Sequence, residues 1–257
     1  MIVAVCANAA IDVTYTVPVL LPGETHRVAE VRDRAGGKGS NVARVLHQLG
    51  EPVTVCGFAG GAAGAAIVAD LEASGMAQAL TSIAGESRRA VAVVAQDQAT
   101  VFNEQGPRIS EDEWQRLVAD VGAACLGADV VVLSGSVPPG VPETGYAELA
   151  ALARRQGATV IVDADGDSLA RAFQAGPDVV KPNAEEVAAL LGRPVSTRED
   201  ARDAGRALVH RGAHAAVISR GAGGLVAVRA GEALEVLFHQ LDVAARHYYG
   251  MLVAGMR

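Results

Sequence analysis

Short runs of aliphatic and β-branched residues recur along this 257-residue chain, at 2–6, 52–56, 130–133, 160–162, 179–180 and 215–218. Segments with helical spacing stand between them, at 39–49, 62–74, 111–126, 143–156, 184–191 and 199–211. Brief apolar strands alternating with helices of about 10–15 residues predict βαβ units: a mostly parallel sheet buried on both faces by helices. Helix starts are well marked. Ser110 precedes Glu111 and Glu113, and Ser196 or Thr197 precedes Glu199 and Asp200, both patterns that satisfy the first free N–H groups of a helix.

Two segments break this rhythm. Residues 12–17 and 26–32, joined around Leu21-Pro22-Gly23, have the polar alternation of a strand pair, as do 89–95 and 99–103 around Gln96-Asp97-Gln98. Four such strands do not fit inside a buried parallel sheet. They predict a small projecting sheet, a lid or a dimer surface, on one α/β core.

The formal net charge of −7 argues against a nucleic-acid partner, since a phosphate backbone requires a basic face. It leaves room for a small anion held by a few converging cations. Cys6, Cys56 and Cys125 are far apart, without metal-ligand spacing, and lie in or beside apolar runs, which predicts buried, reduced thiols. No stretch reaches the ~20 apolar residues of a membrane span, so the expected setting is cytoplasmic.

The candidate chemistry begins at Ala35-Gly36-Gly37-Lys38-Gly39-Ser40-Asn41, which leads into an amphipathic helix. Adjacent glycines let backbone N–H groups approach an anion, the helix N-terminus adds a favourable dipole, Lys38 adds a full charge and Asn41 can bind hydroxyls. Asp12, just after the first strand, either clamps sugar hydroxyls or caps a loop. Arg88 either closes over a phosphate or is a solvated edge charge. In Lys181-Pro182-Asn183-Ala184-Glu185-Glu186, Asn183 and Glu186 have capping-box spacing, and the same two side chains could order water around magnesium. Gly221-Ala222-Gly223-Gly224 stands between two strands, and Gly57-Phe58-Ala59-Gly60-Gly61 opens a helix at the wrong spacing, so neither is a dinucleotide fingerprint.

Taken in order, these segments resemble the PfkB branch of the ribokinase-like carbohydrate kinases, in particular bacterial 1-phosphofructokinases and tagatose-6-phosphate kinases. The resemblance runs from Asn8-Ala9-Ala10-Ile11-Asp12 through Pro22-Gly23-Glu24-Thr25, the Gly36 to Asn41 motif, Gly85-Glu86-Ser87-Arg88 and Thr100 to Pro107. It continues through Ser134-Gly135-Ser136-Val137-Pro138-Pro139-Gly140, Lys181 to Glu186 and Ser219 to Gly224, so it covers residues 1 to about 228. It implies one carbohydrate-kinase domain over 1–257: a three-layer α/β ribokinase-like core, a mostly parallel sheet, and a small projecting β lid over about 12–34 and 87–104. It further implies ATP, Mg²⁺ and phosphoryl transfer to a sugar phosphate, with fructose 1-phosphate going to fructose 1,6-bisphosphate, or tagatose 6-phosphate as the alternative acceptor. Asp12, Gly36, Gly37, Lys38, Asn41 and Arg88 would bind the sugar phosphate. Lys181, Asn183, Ser219, Gly221 and Gly224 would bind the nucleotide, and Glu186 the metal. The lid would support a homodimer.

The chain departs from the family at its end. The Gly-Ala-Gly-Asp run that supplies an anion hole and a base falls on His247-Tyr248-Tyr249-Gly250, so the base position is Gly250 and Asp242 is the nearest substitute carboxylate. A tyrosine does not readily take the positive-φ backbone of a glycine nest. Leu241, Ala245, Tyr248, Leu252 and Met256 have the spacing of one amphipathic helix instead. An impaired or inactive sugar-phosphate-binding remnant is therefore the alternative expectation.

Overall fold

The computed structural model of the protein describes residues 1–96, 98–164 and 166–236. Residues 242 and 247–250, and the helix expected over 241–256, lie outside the described residues. The first half of the chain runs β1 (Ile2–Cys6), β2 (Ala10–Thr16), β3 (Glu30–Gly36), α1 (Lys38–Gln48), β4 (Val53–Ala59), α2 (Gly61–Ala73), β5 (Ala77–Ser82), β6 (Arg88–Ala95), β7 (Gln98–Asn103) and α3 (Glu111–Ala124). The second half runs β8 (Val130–Ser134), α4 (Gly145–Arg155), β9 (Thr159–Asp163), α5 (Gly166–Ala172), β10 (Val179–Val180), α6 (Ala184–Leu191), α7 (Arg198–His210), β11 (Ala215–Ser219), β12 (Leu225–Arg229) and β13 (Glu232–Val236).

A nine-stranded sheet has the order β13-β12-β11-β10-β9-β8-β1-β4-β5. It is parallel from β5 to β11, and β12 and β13 extend it antiparallel. β1 shows why the fold has three layers. All five of its residues are buried, yet they alternate in direction. Ile2, Ala4 and Cys6 pack with Val42 and Leu46 of α1 and Ile67 and Leu71 of α2. Val3 and Val5 pack with the opposite layer, which includes Trp114, Leu117, Leu149 and Leu208. Ser110, Asn183 and Thr197 each cap a helix in a reciprocal box with Glu113, Glu186 and Asp200.

The expected lid is present as a separate four-stranded sheet, order β3-β2-β6-β7. The position of its strand β3 differs from the sequence expectation. The strand expected at 26–32 lies at Glu30–Gly36, because pairing Ile11 with Ala35 puts both apolar side chains into the core beside α1 and α2. Asp12 correspondingly sits within lid strand β2, not in a loop closing β1, which removes the loop-cap reading. β5 and α5 escape the sequence reading: β5, Ala-Gln-Ala-Leu-Thr-Ser, has weak strand propensity, and seven residues of α5 give too little periodicity. Among the described residues no helix is long and apolar enough to cross a membrane.

Candidate active site

Parallel strands end on one edge, and the polar residues of this chain collect there. Asn8 follows β1, Ser134 closes β8, Asp163 closes β9, Lys181 to Asn183 follow β10, and Ser219 closes β11. α1 starts at the same edge, with Gly37 as its N-cap residue and Lys38 in its first turn.

Lys38 joins the two halves of this edge. Its Nζ lies 3.0 Å from Glu186 Oε1. Glu186 is aimed by its own helix cap: its Oε2 accepts from the Asn183 N–H at 2.9 Å, while Asn183 Oδ1 accepts from the Glu186 N–H at 2.8 Å. Beside this pair, Lys181 Nζ stands 3.6 Å from Asp163 Oδ1, and Ser134 Oγ donates to Asp163 Oδ2 at 3.3 Å. Asp163 is 1% exposed and Lys181 6%. Burial pushes the Asp163 carboxyl up to about 6, although the Lys181 and Lys38 ammonium groups pull the other way. Burial likewise lowers the Lys181 pKa, against the attraction of Asp163.

The lid builds the other half. Asp12 packs against the bare Cα of Gly36, where an added Cβ would stand 1.9 Å from its Cγ. Burial raises the Asp12 pKa, opposed by Arg34 and Arg88 and by a hydrogen bond from Asn41. Arg88 is not a solvated edge charge: it is half-buried, and its Nε donates to Asn8 O at 3.0 Å and its Nη1 to Glu104 O at 3.3 Å. Gly37 takes φ 91°, and a Cβ there would strike Cys6 Sγ at 2.7 Å, so only glycine fits this turn.

Ser219, Gly221 and Gly224 lie next to the Asn183 cap. Asn183 and Ser219 form a parallel bridge, and the Ser219 N–H donates to Pro182 O at 3.1 Å. Gly221 and Gly224 both have positive φ in the turn from β11 to β12, and a Cβ on Gly221 would meet nothing within 4 Å. The turn is open toward solvent, as a nucleotide would require. Gly60 and Gly61 serve a different purpose. The Ala62 and Ala63 N–H groups at the start of α2 donate to the Glu86 carboxylate, and Gly60 N–H donates to Ser87 Oγ at 3.0 Å. That helix end is filled by the chain itself.

The sequence-selected residues thus form two groups sharing Lys38: Asp12, Gly36, Gly37, Asn41 and Arg88 on the lid side, and Lys181, Asn183, Glu186, Ser219, Gly221 and Gly224 on the sheet side. Asp163, Arg34 and Asn8 had no assigned role. Asp163 had a readable signal, as a carboxylate ending the apolar run 160–162 at the ligand-binding edge. The donors fit the magnesium and ATP that the family resemblance implies. The Glu186 carboxylate adds to the cost of ionising Asp163, and Asp163 Oδ1 is a buried acceptor with no hydrogen-bond partner among the described residues. Hard carboxylate oxygens, one or two in number and completed by phosphate oxygens, are the usual protein share of a magnesium site. Asn8 Oδ1 and Asn41 Oδ1 are also buried without a hydrogen-bond partner among the described residues.

Comparison with known proteins shows the family and the fold. A family model described as pfkB family carbohydrate kinase matches residues 2–240. The chain is 40% identical over 259 residues to a 1-phosphofructokinase of Rhodobacter capsulatus, covering 99% of this chain and 82% of that protein. Among solved structures, phosphofructokinase-2 from Escherichia coli in complex with fructose-6-phosphate superposes with a TM-score of 0.86 at 29% identity, covering 96% of this chain and 83% of that one. A possible 1-phosphofructokinase from Thermotoga maritima gives a TM-score of 0.83 at 26% identity, over 90% and 75% of the two chains. An α/β core with a β lid, a Gly-Gly-Lys-Gly joint between them and a match across nearly the whole length lead to one assignment: the chain belongs to the pfkB family of carbohydrate kinases.

Proposed function

We propose that this single domain transfers the γ-phosphoryl group of ATP to the 6-hydroxyl of fructose 1-phosphate, giving fructose 1,6-bisphosphate. The observation that carries this reading is the position of Lys38, where the carboxylate-and-arginine lid half meets the Glu186–Asp163–Lys181 half. Two cations on one site, Lys38 and Arg88, suit a sugar that already carries phosphate; a neutral sugar would need neither. The 1-phosphofructokinase name of the Rhodobacter relative supports the choice of acceptor.

In this reading Asp12 and Asn41 receive sugar hydroxyls, and the Gly36-Gly37 backbone borders the sugar while its bare Cα atoms pack against Asp12 and Cys6. Lys38 and Arg88 hold the existing phosphate. Asn183, Ser219, Gly221, Gly224 and Lys181 border the nucleotide, and Glu186 with Asp163 would hold magnesium, which supplies charge neutralisation for the phosphates. The hydroxyl oxygen bonds to the γ-phosphorus as the bond to ADP breaks, and the hydroxyl proton leaves to a base. Residues 242 and 250, where that base was sought, lie outside the described residues. What this chain's described residues contribute is alignment and fixed charge, the main demands of phosphoryl transfer.

ADP release in the presence of fructose 1-phosphate, fructose 6-phosphate or tagatose 6-phosphate, paired with calorimetric binding, tests the proposal. Turnover preferring fructose 1-phosphate is expected, with affinity for it reduced by Lys38→Ala. Binding without turnover would favour the second reading, a sugar-phosphate-binding remnant, which His247-Tyr248-Tyr249-Gly250 supports by replacing the family's anion hole and base. We further propose a homodimer through the lid, whose strands leave Val31, Val101 and Phe102 more than half exposed. An inhibited form of the E. coli phosphofructokinase-2 is tetrameric. Light scattering at the monomer mass would exclude the dimer.

A further inference from the structure

β3 is an edge strand of the lid, and its last residues run directly into the Gly36-Gly37-Lys38 joint. Alternate N–H and C=O groups of an edge strand point away from the sheet and need other partners when buried. Ala35 is fully buried, and two half-buried helix side chains take both of its groups. Its N–H donates to Asp70 Oδ2 at 2.9 Å, and its C=O accepts from Arg44 Nη2 at 3.2 Å. The same Nη2 closes on the same Asp70 oxygen at 2.7 Å, and Arg44 Nη1 donates to Ser74 Oγ at 3.1 Å. Arg44 comes from α1 and Asp70 from α2, so helices on one face of the core grip a single lid residue from two sides.

The neighbours of Ala35 are the residues that shape the sugar half. Arg34 pairs across the ladder with Asp12, and Gly36 carries the Asp12 carboxylate against its bare Cα. Asn41, which hydrogen-bonds Asp12, stands one helical turn before Arg44 on α1. A shift of Ala35 therefore moves both residues flanking the carboxylate, while Asn41 stays with the helix.

We propose that Arg44 and Asp70 are positioning residues for the sugar-phosphate half of the site: their ion pair clamps Ala35 and thereby fixes where the lid carboxylate Asp12 stands relative to α1. This rests on the sugar-phosphate kinase reading above. Neither residue need touch substrate. The planar guanidinium fork is what allows one side chain to engage a carboxylate, a carbonyl and a hydroxyl together, a task that a lysine ammonium at the same place performs incompletely.

Steady-state kinetics of Arg44→Lys and Asp70→Ala test the clamp. The expected result is a KM for fructose 1-phosphate at least tenfold higher, a KM for ATP within twofold of the parent protein, and faster hydrogen exchange at the Ala35 amide in Asp70→Ala. Arg44→Lys, which keeps the ion pair, should fall between the parent and Asp70→Ala, and it carries the test alone if Asp70→Ala does not fold. An unchanged sugar-phosphate KM in Arg44→Lys, or a loss in which both KM values and kcat merely follow the folded fraction, would overturn the proposal. If the parent protein does not turn over fructose 1-phosphate, the functional reading fails by itself. Calorimetric affinity for that sugar phosphate and Ala35 exchange in the same variants then decide the clamp, with unchanged values counting against it.

Discussion

Gly36→Ala probes the contact between lid and joint most directly. Gly36 is outside the positive-φ region, so alanine is acceptable to the backbone. The obstacle is a side chain: the three atoms nearest the new methyl all belong to Asp12, at 1.9 Å for Cγ and 2.1 Å for each carboxylate oxygen. To reach ordinary contact the carboxylate must retreat by roughly 1.3–1.5 Å, beyond the ~0.5 Å tolerance of a preorganised site. A lost hydrogen bond to a charged group is worth about 1.5–3 kcal/mol, so kcat/KM for the sugar phosphate should fall by roughly 10- to 150-fold. The folding cost of an extra methyl is about 1–3 kcal/mol, read separately by denaturant unfolding. A double-mutant cycle isolates the cause. If Gly36→Ala acts by evicting the carboxylate, adding it to Asp12→Ala should reduce kcat/KM little further. Parent-like kcat/KM in Gly36→Ala, or full additivity in the double variant, would refute the reasoning.

Three other outcomes follow from the structure. The Asp163 carboxyl titrates at about 6 in the folded protein against 3.8 ordinarily. The folded state thus binds that proton more tightly, and the group's contribution to stability, on the order of 3 kcal/mol, is complete below pH ~4 and lost as pH rises through ~6. In metal-free buffer Asp163→Asn should flatten the decline of Tm over that window, and an unaltered slope would count against it. Burial pushes the Cys56 thiol up to about 12 and the Cys125 thiol up to about 11, so both should resist a thiol reagent until the protein unfolds; rapid labelling of the native protein at pH 8 contradicts this. Glu86→Ala removes the carboxylate from the first turn of α2 and should cost about 1 kcal/mol in denaturant unfolding, whereas an unchanged midpoint would mean that solvent serves this helix end equally well.

Elements with strong local signals were legible in the sequence. The alternation of apolar runs and helical segments located the parallel strands other than β5, and all three capping boxes fell where a Ser, Thr or Asn preceded an acidic residue by three. What escaped was set by tertiary register. The sequence around 26–36 alternates acceptably in more than one frame, and only burial of Ala35 opposite Ile11 selects the observed one. The position of Asp163 at the end of a Val-rich run is readable in the sequence, but its partner is not: Lys181 stands at the neighbouring strand's exit. The Arg44–Asp70 pair was invisible for the same reason, since its common partner is the backbone N–H and C=O of an alanine.

The Gly-Gly-Lys-Gly segment itself reads differently once its neighbours are known. From sequence, adjacent glycines suggest backbone N–H groups laid open to an anion. In the fold, a Cβ on Gly36 would collide with Asp12 of the lid, one on Gly37 with Cys6 Sγ, and one on Gly39 with Val5 O and Cys6 Cβ, both at 2.7 Å. Each glycine is demanded by close packing: against the lid carboxylate at Gly36, and against the end of the central strand at Gly37 and Gly39. Lys38 is the side chain the loop can project, and it reaches Glu186 on the far half of the site. The segment is therefore a joint in which lid, central strand and α1 approach at backbone distance, and its cation stands at the meeting point because its glycine neighbours leave no other side chain there. Enlarging Gly36 should disturb the lid carboxylate, and enlarging Gly37 or Gly39 the end of the central strand. The chemistry expected of the loop thus depends on close packing as much as on exposed amides.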